Sequence, residues 1–396
     1  MRVVLPRGDR HNRASAFLRS AMSRIHATYR IRAAEADIEA VAEALALEQS
    51  VETPRDVAVR DAFVRDEILA RVEAIRSTAP DVHEVTLALA VATTGFDVAQ
   101  TLNMLFGNSS LHAHMELVDA VFPAGFSDHF ARPRFGIAGL RRLTGVADRP
   151  LACGALKPQG LPVEALAELC YSFALGGVDF IKDDHGLADQ AYSPFAARVR
   201  ACQRAVQRAN RETGRNVIYA PSMVGSPQAL TAQARLVREE GVGAVLIAPA
   251  LVGLPVFHEL VATQLQVPVL AHPAYAGATR VAPALLLGKL FRLLGADAVI
   301  YPNYGGRFAY TRDECGAIAA AARSPWGDMP ATMPVPAGGM NVGRVEEMIE
   351  FYGMDVMLLI GGSLLQAGNA LPDRTREFVA RVAHCAGQAP IEGACA

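Results

Sequence analysis

The chain alternates between short apolar segments and amphipathic segments of helical length after Pro150. Each apolar run ends in glycine, proline or a polar residue, and an amphipathic stretch such as 163–175 or 227–240 follows it. This alternation predicts parallel strands joined by helices. Eight such strands close a (β/α)₈ TIM barrel, which we prefer to an open doubly wound sheet because no GxGxxG motif follows the first strand. The predicted strands are Leu151–Leu156, Val178–Lys182, Asn216–Ala220, Ala244–Ala248, Val267–Ala271, Asp297–Tyr301, Met333–Pro336 and Val356–Ile360.

The residues before the barrel predict an α+β N-terminal domain. Strand patterns at 25–31 and 83–90 accompany helical patterns at 33–47 and 97–106. We divide the chain into a disordered or mis-annotated extension at 1–21, the α+β domain at 22–148 and the barrel at 149–396. Five arginines in the extension would also suit an organelle transit peptide, but a strand pattern starts directly after Met22.

Composition excludes several classes of function. The formal net charge is −2 with no basic block, so neither nucleic acid nor an anionic membrane is an expected partner. The longest apolar stretch, 281–301, contains Lys289 and Arg292, which argues against a membrane span. Six cysteines form no CxxC pair, so we expect free thiols in a reducing compartment and a cytoplasmic protein.

Lysine is the scarce residue of this chain. Of the 38 Lys and Arg residues, only three are lysines: Lys157, Lys182 and Lys289. A lysine can become a base, a Schiff-base amine or a carbamate, and an arginine cannot. Lys182 lies at the end of a strand followed by Asp183 and Asp184, where the alternative is a structural ion pair with either acid.

The ends of the predicted strands carry polar groups and glycines that would face one mouth. Strand alternation places Lys182 and Asp184 on one side, with His185 just beyond, and these groups would suit a hard divalent cation if the lysine had taken up CO₂. The glycines predict a phosphate site or, alternatively, tight turns. The remaining groups at the strand ends are Lys157, Gln159, Ser222, His272, Asn303, Arg307, Gly338, Gly339, Gly361, Gly362 and Ser363. Of these, Gln159, Asn303 and the four glycines are expected to bind the substrate.

Two segments, 149–161 and 176–184, resemble the rubisco superfamily. The second resembles the family's strand with its carbamylated lysine and metal-binding acids. The first resembles the strand with the proton-transferring lysine, which corresponds to Lys157. The resemblance implies Mg²⁺ bound by a CO₂-derived carbamate on Lys182, by Asp184 and by His185. It also implies that His272 is catalytic.

Two N-terminal segments extend the resemblance. Residues 48–50 and 107–108 resemble the segments that reach the active site of the neighbouring subunit in this family. The resemblance implies a homodimer with shared active sites, in which Glu48 and Asn108 bind the substrate.

Several departures from the family pattern indicate a rubisco-like protein of the non-carboxylating, form IV type. The loop after the sixth strand offers Arg307 only as a rough equivalent of the catalytic lysine. The kept glycines imply that one phosphate is still bound. The other departures are His185 for glutamate, Gln159 for lysine, Pro273 for arginine and Ala337 for serine.

These residues lead to a functional hypothesis with two alternatives. We expect an enzyme that acts through a metal-stabilised enediolate on a monophosphorylated keto sugar or sugar acid. The preferred reaction is that of a decarboxylase or transcarboxylase/hydrolase of the 3-oxo-isoapionate 4-phosphate type, because Asn303 and Arg307 could hold a carboxylate. One alternative is an isomerase or enolase of methylthioribose salvage, and the other is a catalytically silent binding or regulatory barrel.

Overall fold

The computed structural model describes residues 23–388, which form two compact units. The first unit comprises 23–130 together with 278–285, and the second comprises 131–277 together with 286–388. The predicted extension at 1–21 lies outside the described residues.

The first unit contains a four-stranded antiparallel sheet. Arg24–Arg32 pairs with Val82–Ala90 on one side and with Met115–Val121 on the other, and Arg71–Ala79 forms an edge next to Val82–Ala90. Alternate residues of the first strand are buried, and Tyr29 donates a hydrogen bond to the carbonyl of Leu105 (2.6 Å). The helical segments are Ile38–Glu48, Arg55–Ala58, Val64–Ile68, Val91–Thr94, Val98–Phe106, Asn108–Leu111 and Phe126–His129.

The second unit is the predicted barrel of parallel strands. The third strand is interrupted at Pro221: its first half pairs with the second strand and its second half with the fourth. Strand residues with apolar side chains fill the interior. The strands in order are Leu151–Leu156, Phe180–Asp183, Ile218–Ala220 with Ser222–Met223, Val245–Ile247, Val269–Ala271, Ala298–Pro302, Met333–Ala337 and Met357–Ile360.

Helices follow the barrel strands as the sequence predicts. The predicted helix at 163–175 is observed at Val163–Gly176, and the one at 227–240 at Pro227–Glu239. The α-helices of this unit are Gly136–Thr144, Val163–Gly176, Phe195–Thr213, Pro227–Glu239, Pro249–Val252, Leu254–Thr263, Phe291–Leu293, Arg312–Arg323, Val345–Tyr352, Gly362–Leu365 and Leu371–Gln388. Shorter turns are Ala276–Ala278, Val342–Arg344 and Gly368–Ala370, and Ala284–Leu290 is π-helical.

The division between the units falls at Phe130, earlier in the chain than the expected border at 148. The helix Gly136–Thr144 packs with the barrel, because Leu140 is fully buried in the barrel's core. Asp297 accepts hydrogen bonds from the backbone N–H groups of Phe135 (2.7 Å) and Gly136 (2.8 Å), which fixes the start of this helix.

Two expectations from composition can be compared with the described residues. The five cysteines within 23–388 are free and buried, and Cys395 lies outside that range. No helix between residues 23 and 388 is long and apolar enough to cross a membrane.

Candidate active site

Barrel geometry brings both strand-end lysines to the same mouth. Cys153 and Ala155 point into the core, so alternation directs Lys157 inward at the end of the first strand. Phe180 likewise points into the core, and Lys182 follows it on the same side. Lys182 is level with Ala155 across the ladder, so Lys157 lies one layer nearer the mouth.

Lys182 is buried, with 2% of its surface exposed. Its Nζ donates a hydrogen bond to the carbonyl of Asp183 (2.8 Å). Burial lowers the pKa of Lys182, and the positive charge of Lys157 lowers it further, against the opposing effects of Cys153 and Asp184. The environment therefore shifts Lys182 toward its neutral amine, the form that can react with CO₂.

Asp184 connects the charged groups of the mouth. Its Oδ1 lies 3.1 Å from the Nζ of Lys157 and 3.3 Å from the Nδ1 of His185. Burial acts to raise the pKa of Asp184, but His185 and the two lysines outweigh it and hold the pKa well below its usual value. The carboxylate is therefore ionised and able to ligate a cation or to hold Lys157 in position.

His272 lies at the end of the fifth strand, against His185. The two rings are stacked, with centroids 4.1 Å apart and an interplanar angle of 12°. The Nδ1 of His272 accepts a hydrogen bond from the backbone N–H of Ala274 (3.1 Å), which places the imidazole proton on Nε2. Burial, reinforced by the charge of Lys182, lowers the pKa of His272 to about 2, so the ring is neutral.

The acid next to Lys182 belongs to a separate, fully buried network. Asp183 does not pair with the lysine side chain; its carboxylate accepts hydrogen bonds from Arg198 (2.9 Å), Tyr219 (2.8 Å) and the backbone of Ser222 (3.1 Å). Arg198 also donates to the carbonyls of Ala188 (2.8 Å) and Ser193 (2.6 Å), both within the loop that begins at Asp184. Sequence reasoning missed this network.

The glycine segments after the seventh and eighth strands lie together. Gly338 and Gly339 have positive φ angles of 84° and 73°, a conformation that side chains disfavour. Ser363 donates a hydrogen bond from Oγ to the carbonyl of Met340 (3.0 Å), joining the two segments. A Cβ at Gly361 would lie 4.0 Å from the Cε of Lys157, so the eighth strand ends beside that lysine. Gly362 begins the following helical turn.

Not all of the remaining candidates face the mouth. Asn303 is buried; its amide donates to the sulfur of Met348 (3.0 Å) and accepts from the hydroxyl of Tyr352 (2.7 Å), so it is not available to hold a substrate carboxylate. Arg307 is exposed, with its guanidinium over the ring of Phe308 at 5.0 Å.

Gln159 lies over the segment that follows His185. The end of its side chain occupies the position that a Cβ on Gly186 would take, so a side chain at position 186 would displace the amide of Gln159. The prediction that Gln159 contacts the substrate stays a prediction.

Glu48 and Asn108 meet within the first unit. The Nδ2 of Asn108 donates hydrogen bonds to Glu48 (2.9 Å) and Glu52 (3.1 Å). Their predicted role in a partner's active site stays a prediction.

The carboxylate and imidazole groups of the mouth are too few for a complete metal site without modification. No group of three or more His, Cys, Asp and Glu side chains in the range 23–388 is arranged to hold a metal ion. Asp184 and His185 would need a further anionic ligand, and Lys182 lies on the same side of its strand as Asp184. A carbamate on Lys182 fits this requirement.

Comparison with known proteins agrees with this architecture. Residues 136–370 match the family model of the ribulose bisphosphate carboxylase large chain, catalytic domain. The chain therefore belongs to the rubisco large-chain family, as its strand motifs predict.

Within that family the chain is similar to rubisco-like proteins. It is 51% identical to the 5-methylthioribulose-1-phosphate isomerase of Rhodospirillum rubrum, over 92% of this chain and 98% of that protein. It is 33% identical to the 2,3-diketo-5-methylthiopentyl-1-phosphate enolase of Geobacillus kaustophilus, over 87% and 88%. The crystal structure of a rubisco-like protein from Rhodopseudomonas palustris superimposes with a TM-score of 0.85 at 48% identity, covering 91% of this chain and 98% of that one.

Proposed function

We propose that this protein is an isomerase of 5-methylthioribulose 1-phosphate that transfers a proton between carbons and does not fix CO₂. The similarity to the Rhodospirillum rubrum isomerase extends over nearly the whole of both chains. The decarboxylase hypothesis is less well supported, because it relied on Asn303, whose amide is bonded inside the protein.

The observation that carries the proposal is the contact between Lys157 and Asp184 at the barrel mouth. The Nζ of Lys157 lies 3.1 Å from the carboxylate, and the lysine side chain is 34% exposed, so a bound substrate can reach it. In the proposed reaction a base removes a proton from a carbon next to the ketone. The proton is then returned to another carbon, so that no atom is gained or lost. Lys157 is the proposed carrier of that proton.

The neutral His272 is suited to hydrogen-bond an oxygen of the substrate in the same reaction. Its Nδ1 already accepts a hydrogen bond from Ala274, so the Nε2–H on the other side of the ring can donate to an oxygen of the substrate. A neutral ring adds no positive charge beside the proposed cation site.

Mg²⁺ is the proposed cofactor, held by Asp184, His185 and a carbamate on Lys182. The carbamate forms when the neutral amine of Lys182 bonds to the carbon of CO₂ and releases a proton. The bound ion would supply polarisation of the substrate's ketone oxygen. Asp184, with its lowered pKa, remains an anionic ligand at neutral pH.

The single phosphate of the substrate is assigned to the two joined glycine segments. Their backbone N–H groups can approach an anion closely because no side chain intervenes at Gly338, Gly339, Gly361 and Gly362. A homodimer completes the proposal, with Glu48 and Asn108 contributing to the partner's site.

The proposal is tested by product analysis. Purified protein activated with CO₂ and Mg²⁺ would be given 5-methylthioribulose 1-phosphate, 2,3-diketo-5-methylthiopentyl 1-phosphate, 3-oxo-isoapionate 4-phosphate and ribulose 1,5-bisphosphate in parallel. We expect the first compound to be converted to an isomer of the same mass, detected by ¹³C and ³¹P NMR. Exclusive turnover of the diketone would replace this proposal with an enolase, the activity named for the relative from Geobacillus kaustophilus. Loss of CO₂ from the third compound would restore the decarboxylase hypothesis.

A further inference from the structure

Asp183 lies between two residues of the proposed Mg²⁺ site, Lys182 and Asp184. Phe180 and Lys182 face the interior of the barrel, so alternation directs the side chain of Asp183 to the outside of the second strand. It is completely buried there, with 0% of its surface exposed. An ion at the barrel mouth is therefore out of reach of this carboxylate.

Both carboxylate oxygens of Asp183 are held by neighbouring elements. Oδ1 accepts a hydrogen bond from the hydroxyl of Tyr219 (2.8 Å), on the third strand. Oδ2 accepts from the Nε of Arg198 (2.9 Å), on the helix Phe195–Thr213, and from the backbone N–H of Ser222 (3.1 Å). The side chain of Asp183 therefore cannot rotate without leaving a buried polar group unpaired, which is costly.

The same network holds the chain beyond Asp184 and His185. The Oγ of Ser222 lies 3.5 Å from the carbonyl oxygen of His185. A little further along the loop, the carbonyl of Ala188 accepts a hydrogen bond from Arg198 (2.8 Å). Asp184 and His185 are therefore fixed from both directions along the chain.

The backbone of Asp183 also contacts Lys182 directly. The Nζ of Lys182 donates a hydrogen bond to the carbonyl oxygen of Asp183 (2.8 Å). A rotation of the peptide units around Asp183 would move this carbonyl, the amine that it holds and the carboxylate of Asp184, because the three belong to consecutive residues. The bonds that lock the side chain of Asp183 oppose that rotation.

We propose that Asp183 is a positioning residue, whose buried hydrogen bonds hold the backbone so that Lys182 and Asp184 are directed at one cation. This inference rests on the proposed function, because it concerns the Mg²⁺ site assigned there, and it adds the group that sets the geometry of that site. A side chain that orients metal ligands without touching the metal changes metal affinity when it is altered, typically by about 10- to 100-fold.

Tyr219→Phe tests this inference with a small change. It removes the hydrogen bond to Oδ1 of Asp183 and leaves the ion pair with Arg198 in place, whereas Asp183→Asn would leave a buried guanidinium without its counter-charge and destabilise the fold. Binding of Mg²⁺ would be measured by isothermal titration calorimetry in the presence of CO₂. We expect the Kd for Mg²⁺ to rise about tenfold in Tyr219→Phe.

Tyr29→Phe is the matched control. Tyr29 and Tyr219 are both buried, and the hydroxyl of Tyr29 likewise donates a hydrogen bond, to the carbonyl of Leu105 (2.6 Å) in the other compact unit. The two variants should therefore lose similar stability in urea denaturation, which also confirms that each is folded. Tyr29→Phe should keep the parental Kd for Mg²⁺.

The possible results separate this inference from the proposed function. A parental Kd in Tyr219→Phe, or an equal rise in both variants, would overturn the positioning role of Asp183, and the isomerase activity of the parent would stand on its own product analysis. A parent that binds no Mg²⁺ in the presence of CO₂ would overturn the cation site and the positioning role together.

Discussion

Replacing Arg198 with methionine tests directly how the barrel stabilises the strand that carries Lys182. Arg198 and Asp183 are both fully buried and joined at 2.9 Å, and the same guanidinium donates to two carbonyls of the loop that follows Asp184. Burial opposes the charge on both groups and raises the pKa of Asp183, against the opposing effects of Arg198 and of the hydrogen bonds from Ser222 and Tyr219. The contact with Asp183 in turn raises the pKa of Arg198 above its usual value, so each group depends on the other for its charge.

The expected cost follows from the carboxylate that the substitution leaves behind. Removing one partner of a buried ion pair costs about 3–5 kcal/mol, because the other charge stays buried and uncompensated. Asp183 would keep only its bonds from Tyr219 and the Ser222 backbone. Arg198→Met should therefore be destabilised by about 3–5 kcal/mol, and Asp183→Asn combined with Arg198→Met should cost less than the single change.

Urea denaturation followed by circular dichroism measures these differences. Arg208→Met is the control, because Arg208 forms an exposed pair with Glu212 on the same helix and little change is expected there. Equal destabilisation by Arg198→Met and Arg208→Met would show that the buried pair with Asp183 has no special role in stability. So would a double variant that is less stable than Arg198→Met.

Four further predictions concern the site, the dimer and stability. Lys182→Arg should fold but lose CO₂- and Mg²⁺-dependent turnover, since a guanidinium forms no carbamate; full activity would contradict the assignment. Mixing Glu48→Gln with Lys182→Arg should restore part of the activity through hybrid dimers, and failure despite demonstrated subunit exchange would favour self-contained monomers. The pKa of His272 is lower in the folded protein than its unfolded value near 6.5, so the free energy of unfolding should fall as pH drops below 6.5. Between pH 7 and 5, the free energy of unfolding of His272→Gln should fall by up to about 1–2 kcal/mol less than that of the parent. Equal losses in the two proteins would count against a neutral ring. Arg292→Met should be destabilised by several kcal/mol in thermal unfolding, since the buried guanidinium bonds the carbonyls at the end of helix Arg312–Arg323 and in the loop after it, and an unchanged melting temperature would refute this.

Most of the correct predictions from the sequence rested on strand periodicity. Alternation alone indicated that Lys182 and Asp184 share a side, and the scarcity of lysine singled out Lys157 and Lys182. Asn303 follows Pro302 at the end of a strand whose Ala298 and Ile300 face inward, so the same alternation turns Asn303 outward, away from the barrel mouth. The helix behind it supplied partners that no local pattern revealed.

The partner of Asp183 was equally inaccessible to sequence reasoning. Arg198 is one of many arginines, and its role depends on a helix packing against the second strand. The compact units divide at Phe130 and not at 148 for a related reason. The helix Gly136–Thr144 precedes the first barrel strand in sequence, yet Leu140 is buried in the barrel's core, a tertiary contact that periodicity does not show.

In the proposed function, Lys157 moves a proton of a monophosphorylated ketose without carboxylation. The most direct measurement is deuterium exchange in D₂O, in which 5-methylthioribulose 1-phosphate is incubated with the CO₂- and Mg²⁺-activated protein or with Lys157→Met, and ¹⁴CO₂ incorporation into ribulose 1,5-bisphosphate is followed in parallel. We predict exchange at a carbon next to the ketone, a roughly 10²- to 10⁴-fold loss in Lys157→Met, and no ¹⁴C fixation. Exchange that is unaffected by the methionine, or sustained fixation of ¹⁴CO₂, would contradict the account.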